Sequence, residues 1–301
     1  MVVQSNIVVD GNLISNVDWC NYVDKLKLLS TKNIGNEEEA IVHIKKPFIN
    51  AVKSRIPNKK FGIFFSGGVD STAIAYLCNQ LNADFICYTV GIEGSQDIEE
   101  ATVAAKVLGF THKKQILSLD ELEEVFESLS KILPKDVLNV VNLGVGAVIL
   151  AAINLAKKDN IDTFFSGLGS EELFAGYQRH EQSSNVNEEC WTGIKSTWQR
   201  DFVRDFSIAK YTKTTFLTPF LDRDLIIKSM EIGGSLKIKE GIKKYIFRKV
   251  IQEIGLQNKF SFRPKKAAQY GSKFDKALQR IAKLKGFKFK REYIEFLSHN
   301  K

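Results

Sequence analysis

The sequence has few cysteines and no long apolar run. Its four cysteines lie far apart and form no C-x-x-C pair, which argues against a zinc knuckle and against a disulfide framework. No apolar run approaches the roughly 20 residues that span a bilayer, and residues 1–12 lack a basic segment followed by an apolar core. We therefore expect a cytoplasmic protein with no membrane partner.

The composition is that of an ordinary globular protein, with 44% hydrophobic and 26% charged residues. The net charge of +8 is unevenly distributed, because residues 237–301 carry 19 Lys and Arg against 5 Asp and Glu. Such a basic stretch could contact nucleic acid such as tRNA, an acidic partner or the phosphates of ATP, and a solvated helical face is the alternative. The charge pattern by itself leaves all four open.

Strands and helices alternate over the middle of the chain. The patterns predict strands at 61–65, 84–90 and 163–165, and helices at 71–81, 98–109 and 138–158. This alternation predicts an α/β fold with a doubly wound parallel sheet, followed after about Gly176 by a largely helical C-terminal part. We expect residues 1–58 to form a short segment with one helix at 37–56, residues 59–275 the main domain, and residues 276–301 a basic tail.

A glycine loop follows the first predicted strand and precedes a helix, in the run Ser66-Gly67-Gly68-Val69-Asp70-Ser71. Paired glycines let successive N–H groups face one anion, and the serine hydroxyls and the helix start add donors. No lysine follows the glycines, so this is not the loop that handles a γ-phosphate, and Asp70 beside phosphates indicates Mg²⁺. The predicted phosphate-binding residues are Ser66, Gly67, Gly68, Asp70 and Ser71.

A second loop repeats this pattern after the strand at 163–165. It reads Ser166-Gly167-Leu168-Gly169-Ser170-Glu171-Glu172, with acids at the start of the next helix. Glutamate at a helix start is often only a favourable partner of the helix dipole. Together with the first loop, however, the pattern predicts nucleotide contacts at Ser166 and Gly167 and a second Mg²⁺ ligand at Glu171.

Four stretches together resemble a known family. The first loop resembles the pyrophosphate loop of the N-type ATP pyrophosphatases, and the second resembles the signature of the synthetase domain of asparagine synthetase. Pro219-Phe220-Leu221-Asp222 is similar to the family's P-F-L-D, while Lys244 to Arg248 and Arg263-Pro264-Lys265 are similar to its K-x-x-L-R and R-P-K pair. The run from Pro264 to Ser272 also resembles the asparagine synthetase domain-containing proteins.

The resemblance implies a sheet of the adenine nucleotide α-hydrolase type and a two-step reaction. A carboxylate such as aspartate attacks the α-phosphorus of ATP, and ammonia or an amine then displaces AMP to form an amide. ATP and Mg²⁺ are the implied cofactors, with Asp70 and Glu171 as metal ligands and Lys265 as the catalytic cation at the α-phosphate. Adenine is expected against the backbone of Val90 and Gly91, and His112 receives no role.

Three positions depart from the family pattern. Val2 stands where the family's glutaminase has its nucleophilic cysteine, so we expect no glutaminase activity and a supply of ammonia from solution or from a separate glutaminase subunit. Leu168 replaces a family carboxylate thought to act as the base for amine attack, and Glu172 and Asp205 are the candidate catalytic substitutes. Thr215-Phe216-Leu217 replaces the family's E-x-R, which leaves recognition of aspartate open.

Three functions are compatible with these motifs. An amide ligase of the asparagine synthetase type explains all four stretches. A tRNA-modifying ATP pyrophosphatase would use the basic tail to grip phosphates, although the sequence places no cysteine pair for sulfur transfer. A nucleotide-binding regulatory subunit would account for the leucine at position 168.

Overall fold

A five-stranded sheet forms the centre of the computed structural model, which describes residues 7–264 and 267–299. Two short hairpins lie outside this sheet. The strands are β1 Val8–Val9, β2 Asn12–Leu13, β3 Phe61–Phe64, β4 Phe85–Gly91, β5 His112–Ile116, β6 Thr163–Phe165, β7 Thr215–Leu217, β8 Ile238–Lys239 and β9 Ile242–Lys243.

The central sheet is parallel throughout, in the order β5-β4-β3-β6-β7. From β3 the chain moves outward through β4 to β5, and it then returns to β6 on the other side of β3. This arrangement confirms the predicted doubly wound α/β fold. The gap between β3 and β6 is its topological switch point, where open sheets of this kind bind ligands. Both glycine loops leave the sheet there, because one follows β3 and the other follows β6.

Helices pack against the sheet and against one another. Their bounds are α1 Asn16–Leu29, α2 Glu37–Lys53, α3 Val69–Gln80, α4 Gln96–Leu108, α5 Leu119–Ile132, α6 Val140–Ala156, α7 Ser170–Leu173, α8 Gln178–Gln182, α9 Val186–Thr197, α10 Val203–Thr212, α11 Arg223–Met230, α12 Gly234–Lys237, α13 Tyr245–Glu253, α14 Asn258–Ser261, α15 Ala268–Gly271, α16 Phe274–Leu284 and α17 Lys290–His299. A π-helical turn, Trp198–Phe202, joins α9 to α10.

Aromatic side chains fill the centre of the sheet. Phe64 on β3 stacks on Phe164 of β6 with ring centroids 4.7 Å apart, and it meets Phe216 of β7 edge-on at 5.3 Å. Gly62 makes room for the Phe164 ring, since a Cβ at position 62 would lie 2.5 Å from that ring. The phenylalanines therefore hold β3, β6 and β7 in register below the glycine loops.

Two strands of the sheet are absent from the sequence prediction, and both are edge strands. The part of the chain after Gly176 is largely helical, as predicted, but it also contains β7, Thr215–Leu217, which the sequence prediction does not include. β5 has the polar sequence His-Lys-Lys-Gln-Ile and none of its side chains is buried. A strand at the edge of a sheet is partly exposed. It therefore does not need the continuous apolar run that identifies a buried parallel strand in a sequence.

The N-terminal segment contains two helices where the sequence predicts one. The additional helix, α1, buries Trp19, Val23 and Leu26, which lie at helical spacing. The side chain of Ser15 caps its first turn by accepting a hydrogen bond from the Asp18 N–H at 3.1 Å. Both the capping serine and the helical spacing of the apolar residues can be recognised in the sequence.

The expectation that no segment is long and apolar enough to span a bilayer is wrong for one stretch of the described residues. Val140–Asp159, comprising α6 and the turn after it, has the required length and hydropathy, but 61% of its most apolar 18-residue window is buried inside the protein. It packs on β3, β4, α5 and α10, as the core helix of a globular domain does.

Some of the basic C-terminal residues pair with acids. Lys285 Nζ lies 2.6 Å from Glu123 of α5, and Lys290 Nζ lies 2.5 Å from Asp275. Helix α16 runs across the expected boundary at residue 275, and it buries Leu278 and Ile281. The three-segment division and the tRNA partner both stay predictions.

Candidate active site at the switch point

The first glycine loop folds as an anion-binding turn. Gly67 has φ +65°, and a Cβ there would lie 2.8 Å from the backbone nitrogen of Ala101, so the position requires glycine. The Ser66 hydroxyl accepts a hydrogen bond from the Gly68 N–H at 3.2 Å. In the part of the chain that the structure describes, no side chain caps the start of α3. The helix therefore presents its positive end to an anion bound at this loop.

The second glycine loop repeats this local structure. Its Leu168 N–H donates to the Ser166 hydroxyl at 3.3 Å, and Gly169 has φ +98° before α7 begins. The two loops are in contact, because a Cβ on Gly167 would lie 3.3 Å from the Cβ of Asp70. The fold thus brings together residues about 100 positions apart in the chain.

Lys244, which is not among the predicted site residues, connects the two loops. Its buried ammonium group lies 2.8 Å from Asp70 Oδ2, 2.9 Å from Glu171 Oε1 and 3.0 Å from the Ser170 hydroxyl. The residue has φ +56°, a left-handed conformation that is costly for a side chain of this size and that clusters at functional sites. The position of Lys244 at the start of the motif from Lys244 to Arg248 was the sequence feature that could have indicated its role.

The carboxylates of Asp70 and Glu171 suit a magnesium ion. Both approach the same ammonium nitrogen, so they converge on one point. The described residues contain no group of three or more His, Cys, Asp or Glu able to hold a metal. Mg²⁺ in nucleotide sites is commonly held by only one or two carboxylates, with phosphates and water completing the shell. The donor set therefore fits Mg²⁺ bound together with phosphates, and such an ion would compete with Lys244 for the same oxygens.

Gly176 leaves the space that the Glu171 carboxylate uses. A Cβ at this position would lie 1.5 Å from Glu171 Oε2 and 2.5 Å from Lys244 Cε. We expect Gly176→Ala to displace Glu171 and to weaken Mg-ATP binding by at least about tenfold, measured by calorimetric titration. Gly35→Ala is the matched control, since a Cβ at position 35 meets no atom within 4 Å. Equal affinities for the two variants would contradict this role of Gly176.

A chain of buried acids and arginines lies beside the second loop. We call it the acid–arginine network, and its members are Glu172, Arg200, Asp201, Arg204 and Asp205. Arg200 contacts Glu172 and lies 2.7 Å from Asp201, while Arg204 lies 3.2 Å from Asp201 and 2.7 Å from Asp205. The π-helical turn supplies Arg200 and Asp201, and such turns are frequent at functional sites.

Burial sets the protonation behaviour of this network. It raises the pKa of Glu172 to about 7, although the neighbouring Arg200 opposes the shift. Burial also raises the pKa of Asp205, against the opposing effect of Arg204. Glu172 is therefore a carboxyl group that can take up or release a proton near neutral pH.

One cavity of about 340 Å³, the main cavity, collects most of the predicted site residues. Its wall includes Ser66, Asp70, Ser71, Val90, Ser166, Gly167, Glu171, Glu172 and Asp205. Gly67, Gly68 and Gly91 shape the loops and the strand end without lining it. Lys265 lies outside the described residues. His112 bonds the Thr89 hydroxyl at 2.8 Å, and burial lowers its pKa to about 4, which fits its lack of an assigned role.

A second cavity of about 400 Å³ adjoins the main cavity and shares Glu171, Tyr177 and Ala267 with it. Lys243, Lys244 and Arg248 line the second cavity and make it basic. Arg263, part of the Arg263-Pro264-Lys265 motif, donates to the Gly67 carbonyl at 2.6 Å and lies 3.1 Å from Glu100. Lys244 and Arg263 thus both contact the first loop, and positive charge is expected where several phosphate charges gather.

Comparison with known proteins places the chain among asparagine synthases. The family model described as asparagine synthase matches residues 43–218 and 181–286. A candidate glutamine-hydrolyzing asparagine synthetase of Methanocaldococcus jannaschii is 31% identical in an alignment of 301 positions that covers 86% of this chain and 55% of that protein. The glutamine-hydrolyzing asparagine synthetase of Gallus gallus is 27% identical over 76% of this chain and 43% of its own length.

The chain spans about half the length of the curated relatives it matches. Among solved structures, an NMN synthetase from Francisella tularensis covers 82% of this chain and 96% of its own, with 14% identity and a TM-score of 0.34, which is too distant to bear on function. The family model, in contrast, accounts for most of the chain, including both glycine loops. The chain belongs to the asparagine synthase family.

Proposed function

We propose that the chain is an amide ligase that splits ATP into AMP and pyrophosphate. The observation that carries this proposal is the convergence of Asp70 and Glu171, from two separate glycine loops, on the single ammonium group of Lys244. This arrangement brings together the anion-binding turn of the first loop, two carboxylates suited to a metal ion, and a cation, all at the switch point of the sheet. Membership in the asparagine synthase family supports the same chemistry.

In the first step an oxygen of the substrate carboxylate attacks the α-phosphorus of ATP. The bond from that phosphorus to the oxygen bridging to the β-phosphate breaks, and pyrophosphate leaves with the electron pair. The first loop stabilises the developing charge through the Ser66 and Ser71 hydroxyls and the N–H groups at the start of α3. Mg²⁺ held by Asp70 and Glu171 would neutralise part of that charge. Lys265 remains the predicted cation at the α-phosphate.

In the second step the nitrogen of ammonia or of an amine attacks the acyl carbon. The bond from that carbon to the phosphate oxygen breaks, AMP leaves, and the nitrogen gives up a proton. Leu168 lines the cavity but cannot accept that proton. Glu172 can, because it lines the same cavity and has a pKa of about 7, so it is partly ionised at neutral pH.

We expect Glu172→Gln to slow amide formation by about 10²–10⁴-fold while leaving the first step largely intact. The first step is measured as exchange of labelled pyrophosphate into ATP, and the second as amide product. Glu188→Gln, at an exposed pair with Lys27, is the control. Equal loss of both steps would argue against a role of Glu172 as base.

The second step should also depend on pH in the unmodified chain, because Glu172 must be ionised to accept a proton. Since the pKa of Glu172 is raised to about 7, the rate of the second step should be at its maximum above that pH and should fall about tenfold per pH unit below it.

The nitrogen source is part of the proposal. The chain would use free ammonia or ammonia delivered by a separate glutaminase subunit. The direct test offers purified protein Mg-ATP and ammonium together with a carboxylate, aspartate first, and measures AMP and amide. AMP that appears only when carboxylate and ammonium are both present supports an amide ligase. ATP binding without AMP from any carboxylate would favour a regulatory subunit instead.

A further inference from the structure

Helix α6 presents an apolar stripe to the main cavity. Val141, Val145, Val148, Ile149 and Ala152 all line it. They follow helical spacing along one face, while Leu143, Ala147, Leu150 and Ile153 bury other faces of the helix in the protein. From Val141 to Ala152 the stripe is about 16 Å long at 1.5 Å per residue, which is longer than a purine base. The stripe therefore has room for an apolar group besides adenine.

The second glycine loop adds to this apolar wall. Leu168 lines the cavity next to Gly167, which is a predicted nucleotide contact. Apolar side chains from two separate segments, α6 and the second loop, thus lie within one cavity of about 340 Å³ that also contains Ser66 and Asp70. Burying an apolar group against these side chains would be favourable, whereas a polar group laid on them would lose its hydration, because valine, isoleucine, alanine and leucine side chains neither donate nor accept hydrogen bonds.

The arginines of the described cavity wall already have carboxylate partners. Arg179 Nε lies 2.8 Å from Glu189, Arg200 Nη2 lies 2.7 Å from Asp201, and Arg204 Nε lies 2.7 Å from Asp205. An acceptor such as aspartate carries one carboxylate to be activated and a second that must be bound. Binding the second carboxylate through Arg200 or Arg204 would displace an ion pair to a buried aspartate, which is costly, whereas the pair of Arg179 with Glu189 is partly exposed.

We infer that the acceptor is a carboxylic acid with an apolar body, whose carboxylate points to the first loop and whose hydrocarbon chain lies along the α6 stripe. This inference rests on the proposed function and names its substrate class. It separates this chain's acceptor from aspartate, whose second carboxylate and short polar chain match neither the stripe nor the paired arginines.

The test measures binding directly, so that it does not depend on turnover. The full chain is first saturated with Mg²⁺ and α,β-methylene-ATP, an analogue that cannot release pyrophosphate. Hexanoate, phenylacetate and aspartate are then titrated by calorimetry. We expect at least one apolar acid to bind tenfold or more tightly than aspartate. Aspartate binding as tightly as both apolar acids, or no binding of either apolar acid, would overturn the inference.

Variants locate the binding surface. Val145→Thr together with Val148→Thr keeps the shape of the stripe but adds two hydroxyls, and it should weaken binding of the apolar acid about tenfold more than binding of the ATP analogue, which shares the cavity. Val42→Thr, at a position 74% exposed on α2, is the matched control. Unchanged affinity in the double variant would place the acid elsewhere and overturn the inference.

AMP formation is assayed separately with the acid that binds. If the apolar acid binds but no AMP forms with ammonium or an amine, the substrate class stands and the proposed ligase reaction fails. If AMP forms with aspartate and aspartate binds more tightly than the apolar acids, the ligase reaction stands and the substrate class fails.

Discussion

Replacing Asp70 with asparagine should lower formation of AMP and pyrophosphate by at least about 10²-fold while the chain stays folded. Asp70 is 3% exposed and contributes a carboxylate that converges with Glu171 at the first loop. Asparagine keeps the shape but removes the charge that would hold Mg²⁺ against the phosphates, so the leaving pyrophosphate loses its main source of neutralisation. The measurement is the release of AMP from Mg-ATP with the acceptor acid and ammonium.

Asp162→Asn is the matched control for this substitution. Asp162 is half-exposed and pairs with Lys59 at 2.5 Å, away from the main cavity, and an exposed pair of this kind contributes little to stability. Circular dichroism and the melting temperature show whether each variant is folded. If Asp70→Asn were folded and retained more than a tenth of the AMP formation, the assignment of Asp70 to the metal would be wrong.

Replacing Lys244 with methionine should destabilise the metal-free chain by about 3–5 kcal/mol. The ammonium is buried between Asp70 and Glu171, and without it two carboxylates face each other across a protein interior. Methionine preserves most of the side-chain volume, so the loss reports charge and not packing. Urea unfolding measures the difference. Lys239→Met, which removes a lysine that is 41% exposed and paired with Glu37 at 2.9 Å, should change stability far less than Lys244→Met does.

Magnesium should recover part of the stability lost in Lys244→Met. Two carboxylates released from the ammonium form a better cation site than in the unmodified chain, where Lys244 competes for the same oxygens. We therefore expect millimolar Mg²⁺ to raise the melting temperature of the variant by several degrees more than that of the unmodified chain. An equal effect of Mg²⁺ on both proteins would show that Asp70 and Glu171 do not hold the ion.

The candidate site was predictable as far as it depends on local sequence. Both glycine loops follow apolar strands, and their acids stand at helix starts, so the sequence alone suffices to predict Asp70 and Glu171 as metal ligands. The role of Lys244 could not be predicted in the same way, because a lysine 174 positions from Asp70 carries no local sign of burial. The pairing of Arg200 with Glu172 and Asp201 could not be predicted either, because the π-helical turn that orients Arg200 has no clear sequence pattern.

The sequence by itself determined the α/β class, the buried strands β3, β4 and β6, and the two glycine loops. These follow from apolar runs, glycine conformations and helix starts, all of which act over a few residues. Only the tertiary structure decided that the loops touch, that Lys244 lies between their acids, and that the α6 stripe opens into the cavity. Such contacts join residues far apart in the chain, and they depend on strand order, which places β6 beside β3 and so creates the site.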